Sequence, residues 1–261
     1  RRHRWIRGDW QLVRWLLPSV PGPGPGLDAR FQKNPLSLLS QWKILDNLRR
    51  SLVSPALTLL LLLGWTVLSS AWFWTLSMIG IILIPSLIAS VLDLLQKPGD
   101  VLLGQHLAVS VRSTRRRFAQ AAFSLVCLPY EAFYSLDAIV RTAWRMLVAH
   151  KRLLEWSPSG DPERTIHNNK EGLVSSYRTM WIAPVIAIAA VIYLALSELA
   201  ALAEAGAILG LWFFSPAIAW WISRPLVRRR ARLTADQTLF LRKLSRKTWA
   251  FFETFVGPED H

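Results

Sequence analysis

The first eleven residues carry the side chains best suited to chemistry. Arg1 and Arg4 stand three positions apart, and Trp5 follows directly. A guanidinium group binds phosphate through a planar pair of donors, and the flat face of an indole covers a sugar ring well. These residue types are therefore suited to such contacts. The alternative is a simple anchor, since arginine and tryptophan are also frequent at the membrane interface.

Other kinds of catalytic or metal site lack their characteristic spacing. No two of the five histidines are spaced as a metal-binding pair; they are His3, His106, His150, His167 and His261. A glycine-rich phosphate loop with a following lysine is absent from the sequence, and so is an Asp-x-Asp motif. The single cysteine, Cys127, excludes an internal disulfide and a thiolate metal cluster. We therefore predict no metal site and no complete catalytic set in this chain.

Two long stretches without lysine or arginine define the elements that must position the N-terminal residues. They run between Arg50 and Lys97 and between Arg178 and Arg224. Each has room for two apolar spans and a turn, because a bilayer core takes about 20 apolar residues per helix. Backbone in lipid must satisfy its own hydrogen bonds, so each span should be helical. The sequence predicts an all-α membrane protein with two transmembrane helical hairpins, four spans in all, and additional amphipathic interfacial helices.

The distribution of positive charge predicts which compartment each segment faces. The formal net charge is +14, and arginines cluster beside the apolar stretches. The two expected turns, at Ser69–Ser70 and near Glu198, lack basic residues, whereas every other segment is rich in them. The positive-inside rule therefore places those other segments, including both ends of the chain, in the cytoplasm. The same clustering favours anionic lipid headgroups over nucleic acid as the partner of the basic groups.

The segment between the hairpins contains a different kind of helix. Tyr134, Asp137, Arg141 and Arg145 recur at three- and four-residue steps, with apolar side chains on the opposite face. This pattern predicts a helix lying in the plane of the interface. A re-entrant hairpin within residues 118–150 is the alternative. Residues 157–172 are expected to form a cytosolic loop.

Composition divides the chain into five predicted segments. Residues 18–26 form a Pro/Gly linker and residues 36–50 a short amphipathic helix. Thr234 and Gln237 form a capping-box pattern that predicts a helix from about residue 235. The segments are the N-terminal residues with interfacial helices and the linker at 1–50, the first hairpin at 51–96, a cytosolic or interfacial helical insert at 97–177, the second hairpin at 178–224, and a cytosolic helix at 225–261.

Longer stretches of the chain resemble a known family. Arg1-x-x-Arg4-Trp5 resembles the (Gln/Arg)-x-x-Arg-Trp motif of processive, membrane-embedded glycosyltransferases such as cellulose synthase. Residues 1–11, 36–50 (LSLLSQWKILDNLRR), 128–145 (LPYEAFYSLDAIVRTAWR) and 153–156 (LLEW) together resemble cyclic β-1,2-glucan synthase, a very large enzyme of the bacterial inner membrane. Residues 251–261 (FFETFVGPEDH) resemble the opening of the next, glycoside-hydrolase-like domain of those proteins.

The resemblance implies a polymerising glycosyltransferase of family 84. Such an enzyme would transfer glucose from UDP-glucose, with a divalent cation (Mg²⁺ or Mn²⁺), onto a growing β-1,2-glucan that is later closed into a ring. It also implies that residues 1–50 are the end of the glycosyltransferase domain and that residues 225–261 open the next domain. The adjacent transferase and hydrolase-like domains would then be partners of this segment. The metal ligands and the catalytic base would lie outside this chain, which should be inactive alone.

The resemblance further implies roles for residues near the N-terminus. Arg1, Arg4 and Trp5 would belong to the acceptor and diphosphate site, with the indole stacked on the acceptor sugar. A supporting role would fall to their neighbours Asp9, Trp10 and Gln11.

Two tyrosines raise a separate hypothesis. Synthesis in the family passes through a protein-linked glucan, and Tyr130 and Tyr134 lie on the expected cytosolic interface. If the attachment residue is in this chain, one of these two is the candidate. The alternative is an interface aromatic with its hydroxyl in water.

Two other functions are compatible with a basic, multi-span chain. One is a purely structural anchor that links two cytosolic domains without contacting sugar. The other is a transporter of small solutes, which the almost wholly apolar spans disfavour.

Overall fold

The computed structural model describes residues 2–21, 31–68, 70–97, 99, 101–149, 169–224 and 233–257. The chain divides into two compact units, residues 1–222 and residues 223–261. Helices dominate both units, which confirms the predicted all-α class. The described residues also contain one antiparallel pair of short strands, β1 (Ser19–Pro21) and β2 (Phe31–Lys33). Strand β1 lies within the Pro/Gly linker predicted at residues 18–26, and residues 22–30 lie outside the described part.

The first hairpin consists of α2 (Leu38–Thr66) and α3 (Ala71–Leu95). The Ser37 hydroxyl caps α2 by accepting a hydrogen bond from the Ser40 amide at 3.3 Å. The segment expected as a separate helix at 36–50 is instead the first part of α2, which continues through Pro55 into the apolar span. The turn falls where the sequence predicted it, and Ser70 adopts a left-handed backbone with φ of 66°.

The second hairpin consists of α7 (Ile182–Ser197) and α8 (Leu199–Ile222). Glu198 separates the two helices, since its backbone is extended and not helical. The two hairpins share one apolar core in which the buried rings of Trp65 and Trp212 meet with centroids 5.6 Å apart. The indole of Trp65 also donates a 2.9 Å hydrogen bond to the Thr75 hydroxyl, so its polar edge is satisfied inside the core.

The insert between the hairpins forms two helices that meet at a sharp bend. They are α4 (Leu103–Val126) and α5 (Leu128–Trp144), and the angle across Cys127 is 67°. The indole of Trp212 donates to the Leu125 carbonyl at 3.1 Å and so ties α8 to the bend. A run of π-helix, Arg145–Ala149, extends α5. Together the bent pair has the length and composition of one span, as in a broken span or a re-entrant loop.

The helices that could cross a membrane are three to five in number among the described residues. Three pass alone by length and apolar composition, namely α2, α3 and α8. The count reaches five if the pair α4–α5 and the pair formed by α6 (Asn169–Thr179) and α7 are each one span. Helix α7 has 16 residues, which corresponds to about 24 Å against a bilayer core of about 30 Å. The predicted four spans fall within this range.

The second unit contains α9 (Ala235–Phe255). Thr234 and Gln237 form the predicted capping box, with the Thr234 hydroxyl accepting from the Gln237 amide and the Gln237 side chain accepting from the Thr234 amide. Of the loop predicted at 157–172, residues 157–168 lie outside the described part, and residues 169–172 form the first turn of α6 instead. The chain from 258 onward also lies outside the described part.

Candidate functional site

Helix α1 (Arg2–Gln11) carries most of the residues that the sequence singled out. It packs against α2 and α5, and Ile6 is its buried side chain. The Trp10 indole donates a 2.9 Å hydrogen bond to the Ser51 hydroxyl of α2, which in turn donates to the Leu48 carbonyl at 2.6 Å. This chain of hydrogen bonds joins the C-terminal half of α1 to the beginning of the first membrane hairpin.

A polar cleft of about 410 Å³ lies between α1 and α2. Trp5 forms part of its wall and is 63% exposed, so the indole face is open to a ligand. Aliphatic, aromatic, cationic, carboxylate, amide and hydroxyl groups all line the cleft. They belong to Arg2, Trp5, Ile6, Asp9, Asn47, Arg50 and Ser51. An apolar ring face surrounded by hydrogen-bonding groups is the composition expected of a pocket that orients a polar ring such as a sugar.

Asp9 supplies the carboxylate of the cleft. Partial burial raises the pKa of Asp9, while a hydrogen bond from Asn47 and the positive charge of Arg50 oppose that shift. The Asn47 amide nitrogen lies 3.5 Å from the Asp9 carboxylate, and Arg50 forms an ion pair with Asp46 on the same helix. The carboxylate therefore has one weak partner in the cleft and can accept hydrogen bonds from ligand hydroxyl groups.

The structure separates the predicted site residues into distinct environments. Trp5 and Asp9 line the cleft. Arg4 is exposed and is not among the lining residues, and the indole nitrogen of Trp10 is engaged with Ser51. Gln11 is partly exposed at the last position of α1, and Arg1 lies outside the described residues.

Sequence reasoning missed the wall of the cleft that α2 provides. Asn47, Arg50 and Ser51 recur at three- and four-residue steps, which places them on one face of α2 just before its apolar part. This spacing of polar residues is the feature of the sequence from which the second wall could have been predicted. Arg2, the other missed residue, sits inside the predicted motif but outside its fixed positions.

The two candidate tyrosines lie in a row on α5. Their rings are 5.7 Å apart, and the ring of Tyr134 is 6.3 Å from that of His3 on α1. Tyr130 packs against a buried group formed by Val126, Cys127 and Met180. Tyr134 is therefore the one beside α1. Attachment of glucan to either residue stays a prediction.

The described residues do not fit a divalent cation. Within them, no three or more His, Cys, Asp or Glu side chains are grouped as a metal site requires. Ligands for the cation that the resemblance implies are therefore not found among the described residues.

The fold and the cleft define a class of protein: a helical multi-pass membrane segment that holds a polar, aromatic-walled cleft beside its first span. The chain is 32% identical, over 271 aligned positions and its whole length, to cyclic β-(1,2)-glucan synthase NdvB of Rhizobium meliloti. It spans 9% of the length of that synthase. No family model matches the chain. The resemblance to cyclic β-1,2-glucan synthase is thereby confirmed, and the chain corresponds to one segment of that enzyme.

Proposed function

We propose that this chain is the membrane segment of a processive glycosyltransferase that polymerises glucose from UDP-glucose into cyclic β-1,2-glucan. The whole-length similarity to the synthase is the observation that carries the proposal. In this role the segment is part of an enzyme but does not itself catalyse glucose transfer. The divalent cation and the catalytic base of the reaction belong to other parts of the protein.

The cleft between α1 and α2 is proposed to hold the acceptor end of the growing glucan. Trp5 presents an exposed indole face, and Asp9 and Asn47 place an acceptor and a donor of hydrogen bonds beside it. Arg2 and Arg50 add positive charge, which suits an approaching diphosphate. The cleft adjoins the start of the first span, so a glucan bound there would lie at the membrane surface.

The segment is proposed to reside in the bacterial inner membrane with both termini in the cytoplasm. The positive-inside rule supports this orientation, because the basic residues flank the hairpins and avoid the two hairpin turns. UDP-glucose is a cytoplasmic donor in this scheme, so the cleft must face the same side.

Replacement of Trp5 tests the acceptor role. In membranes containing the full-length protein, Trp5→Ala should lower incorporation of labelled glucose from UDP-glucose at least tenfold. A tenfold loss requires only that the stacked indole contribute about 1.4 kcal/mol to the transition state. Trp5→Phe should retain an intermediate rate, because it keeps an aromatic face.

Trp42→Ala is the matched control. Trp42 is 62% exposed and lies on α2 away from the cleft, so its loss removes a similar indole without touching the proposed site. Normal glucan output from Trp5→Ala, at normal protein level, would favour a purely structural anchor instead.

A further inference from the structure

Two carboxylates on α5 reach the N-terminal end of α1. Glu131 Oε1 accepts from Arg2 Nη1 at 3.1 Å, and Asp137 Oδ2 lies 3.1 Å from His3 Nε2. Six positions on an α-helix correspond to about 9 Å of rise, whereas Arg2 and His3 are adjacent. The side chains of two neighbouring residues are therefore held at well-separated points on α5, which restrains both the position and the rotation of α1.

Each of these carboxylates is also held from a second direction. Glu131 Oε2 accepts a hydrogen bond from the Ser54 hydroxyl of α2 at 3.1 Å. Asp137 Oδ1 accepts one from Arg141 Nε at 2.7 Å, one helical turn along α5. Both carboxylates are less than a third exposed, and each is held by a second partner besides α1. Glu131 thus links three helices: α1, α2 and α5.

The two ends of α1 contact different helices, and Trp5 lies between these contacts. Hydrogen bonds from Trp10 to Ser51 and from Asn47 to Asp9 attach its C-terminal half to α2. The bonds of Arg2 and His3 attach its N-terminal end to α5. Trp5 lies between these two attachments, so the direction of its indole depends on both.

We propose that Glu131 and Asp137 are positioning residues that hold α1 so that Trp5 forms one wall of the cleft. The proposal rests on the proposed acceptor role of that cleft. Neither carboxylate is assigned a contact with substrate. Exposed ion pairs contribute little singly, so the effect is expected from the pair of contacts together and from their separation along α5.

A spin label at position 8 measures the restraint without reference to activity. Gly8 is exposed, and a Cβ placed there has nothing within 4 Å, so Gly8→Cys can carry a label without disturbing packing. The background is full-length protein in which Cys127, which is buried, is replaced by alanine, together with any cysteine elsewhere in the protein. Combining Glu131→Ala with Asp137→Ala should make the label clearly more mobile, while a label at Gly80→Cys on α3 should be unchanged.

Activity is measured on the unlabelled variants. The double alanine variant should make at least fivefold less glucan, and Glu131→Gln, which keeps the acceptor for Ser54 and Arg2, should lose less. Glu131→Arg should be impaired, because it places a second cation beside Arg2, and in the labelled protein adding Arg2→Glu should restore the low mobility of the label at position 8. Glu253→Ala is the matched control, because it removes an ion pair of similar length, Arg246 to Glu253 at 3.2 Å, in the other unit.

The outcomes separate this inference from the proposed function. An unchanged label at position 8 in the double variant would overturn the positioning role. If Trp5→Ala is inactive, a double variant with a mobile label and normal glucan output would also overturn the positioning role. Normal output from Trp5→Ala, with a label that the double variant mobilises, would remove the acceptor role of the cleft while leaving the restraint of α1 in place.

Discussion

Gly64 marks the closest approach of α2 and α3. A Cβ atom at this position would lie 2.5 Å from the Cβ of Trp74, a separation that real side chains do not adopt. The neighbouring hydrogen bond from Trp65 to Thr75 depends on the same close contact between the helices. A small residue is therefore required here by packing, as is common where membrane helices meet.

Gly64→Ala should destabilise the first hairpin by about 1–3 kcal/mol, because the extra methyl must push the two helices apart. Thermal unfolding of the full-length protein in detergent, followed by size-exclusion chromatography, measures the effect. Gly80→Ala is the control, since its new Cβ would meet only Ile84 Cδ1 at an ordinary 3.6 Å. Equal melting temperatures for the two variants would contradict the close contact.

At the scale of elements, the start of α9 is decided by local side chains. The Thr234 hydroxyl accepts a hydrogen bond from the Gln237 amide at 3.3 Å, and the Gln237 side-chain oxygen accepts one from the Thr234 amide at 3.0 Å. This capping box satisfies two amides that would otherwise lack partners. The local sequence is sufficient to specify this helix start, which is why it could be predicted.

Thr234→Ala should weaken the first turn of α9 by about 1 kcal/mol. Hydrogen exchange of the Gln237 amide should then be about fivefold faster by mass spectrometry or NMR. Thr248→Ala serves as the comparison, because the Thr248 hydroxyl only donates to the Leu244 carbonyl within the helix. Equal exchange in the Thr234→Ala variant and the unaltered protein would show that the cap contributes nothing.

At the scale of the whole molecule, the two hairpins act as one packed body. The contact between Trp65 and Trp212 joins α2 to α8, and the bond from Trp212 to the Leu125 carbonyl adds the bend of the insert. Each connection crosses a long stretch of sequence. The positive-inside rule predicts that the two hairpin turns of this body face one side of the membrane, because both turns lack basic residues.

Cysteine labelling tests this orientation. In a background without native cysteine, Val67→Cys and Glu198→Cys should react with a membrane-impermeant maleimide once the outer membrane of intact cells is permeabilised. Gly99→Cys and Ser175→Cys, which are also exposed, should react only in inverted inner-membrane vesicles. Labelling of the position 67 or 198 cysteine from the cytoplasmic side alone would reverse the topology and would remove the basis for a cytoplasmic cleft.

Several features could be predicted because they depend on composition or on near neighbours. The gaps in lysine and arginine located both hairpins, and their turns fall at residues 67–70 and at Glu198. The amphipathic pattern of residues 134–145 identified α5. The helix boundary predicted after Arg50 is wrong, because α2 continues through this position into the apolar span. The charged part and the apolar part both favour helix, and Pro55 does not end the helix.

The site was only partly predictable. Trp5 and Asp9 were singled out from a local motif, and both line the cleft. The opposite wall comes from α2, and the carboxylate that meets Arg2 lies 129 positions away at Glu131. Periodicity places a residue on a face of its own helix but does not say which other helix that face will meet.

The amino-acid sequence by itself determined that the protein is helical, that it contains apolar hairpins with basic flanks, and that it resembles a glucan synthase. These properties follow from the length of apolar runs, the cost of charge in lipid and short motifs, all of which act locally. Only the tertiary structure decided that α1 packs against both α2 and α5, that a cleft opens beside Trp5, and that Glu131 and Asp137 hold one end of α1. Those contacts join residues far apart in the chain, and packing selects them through the fit of whole helices.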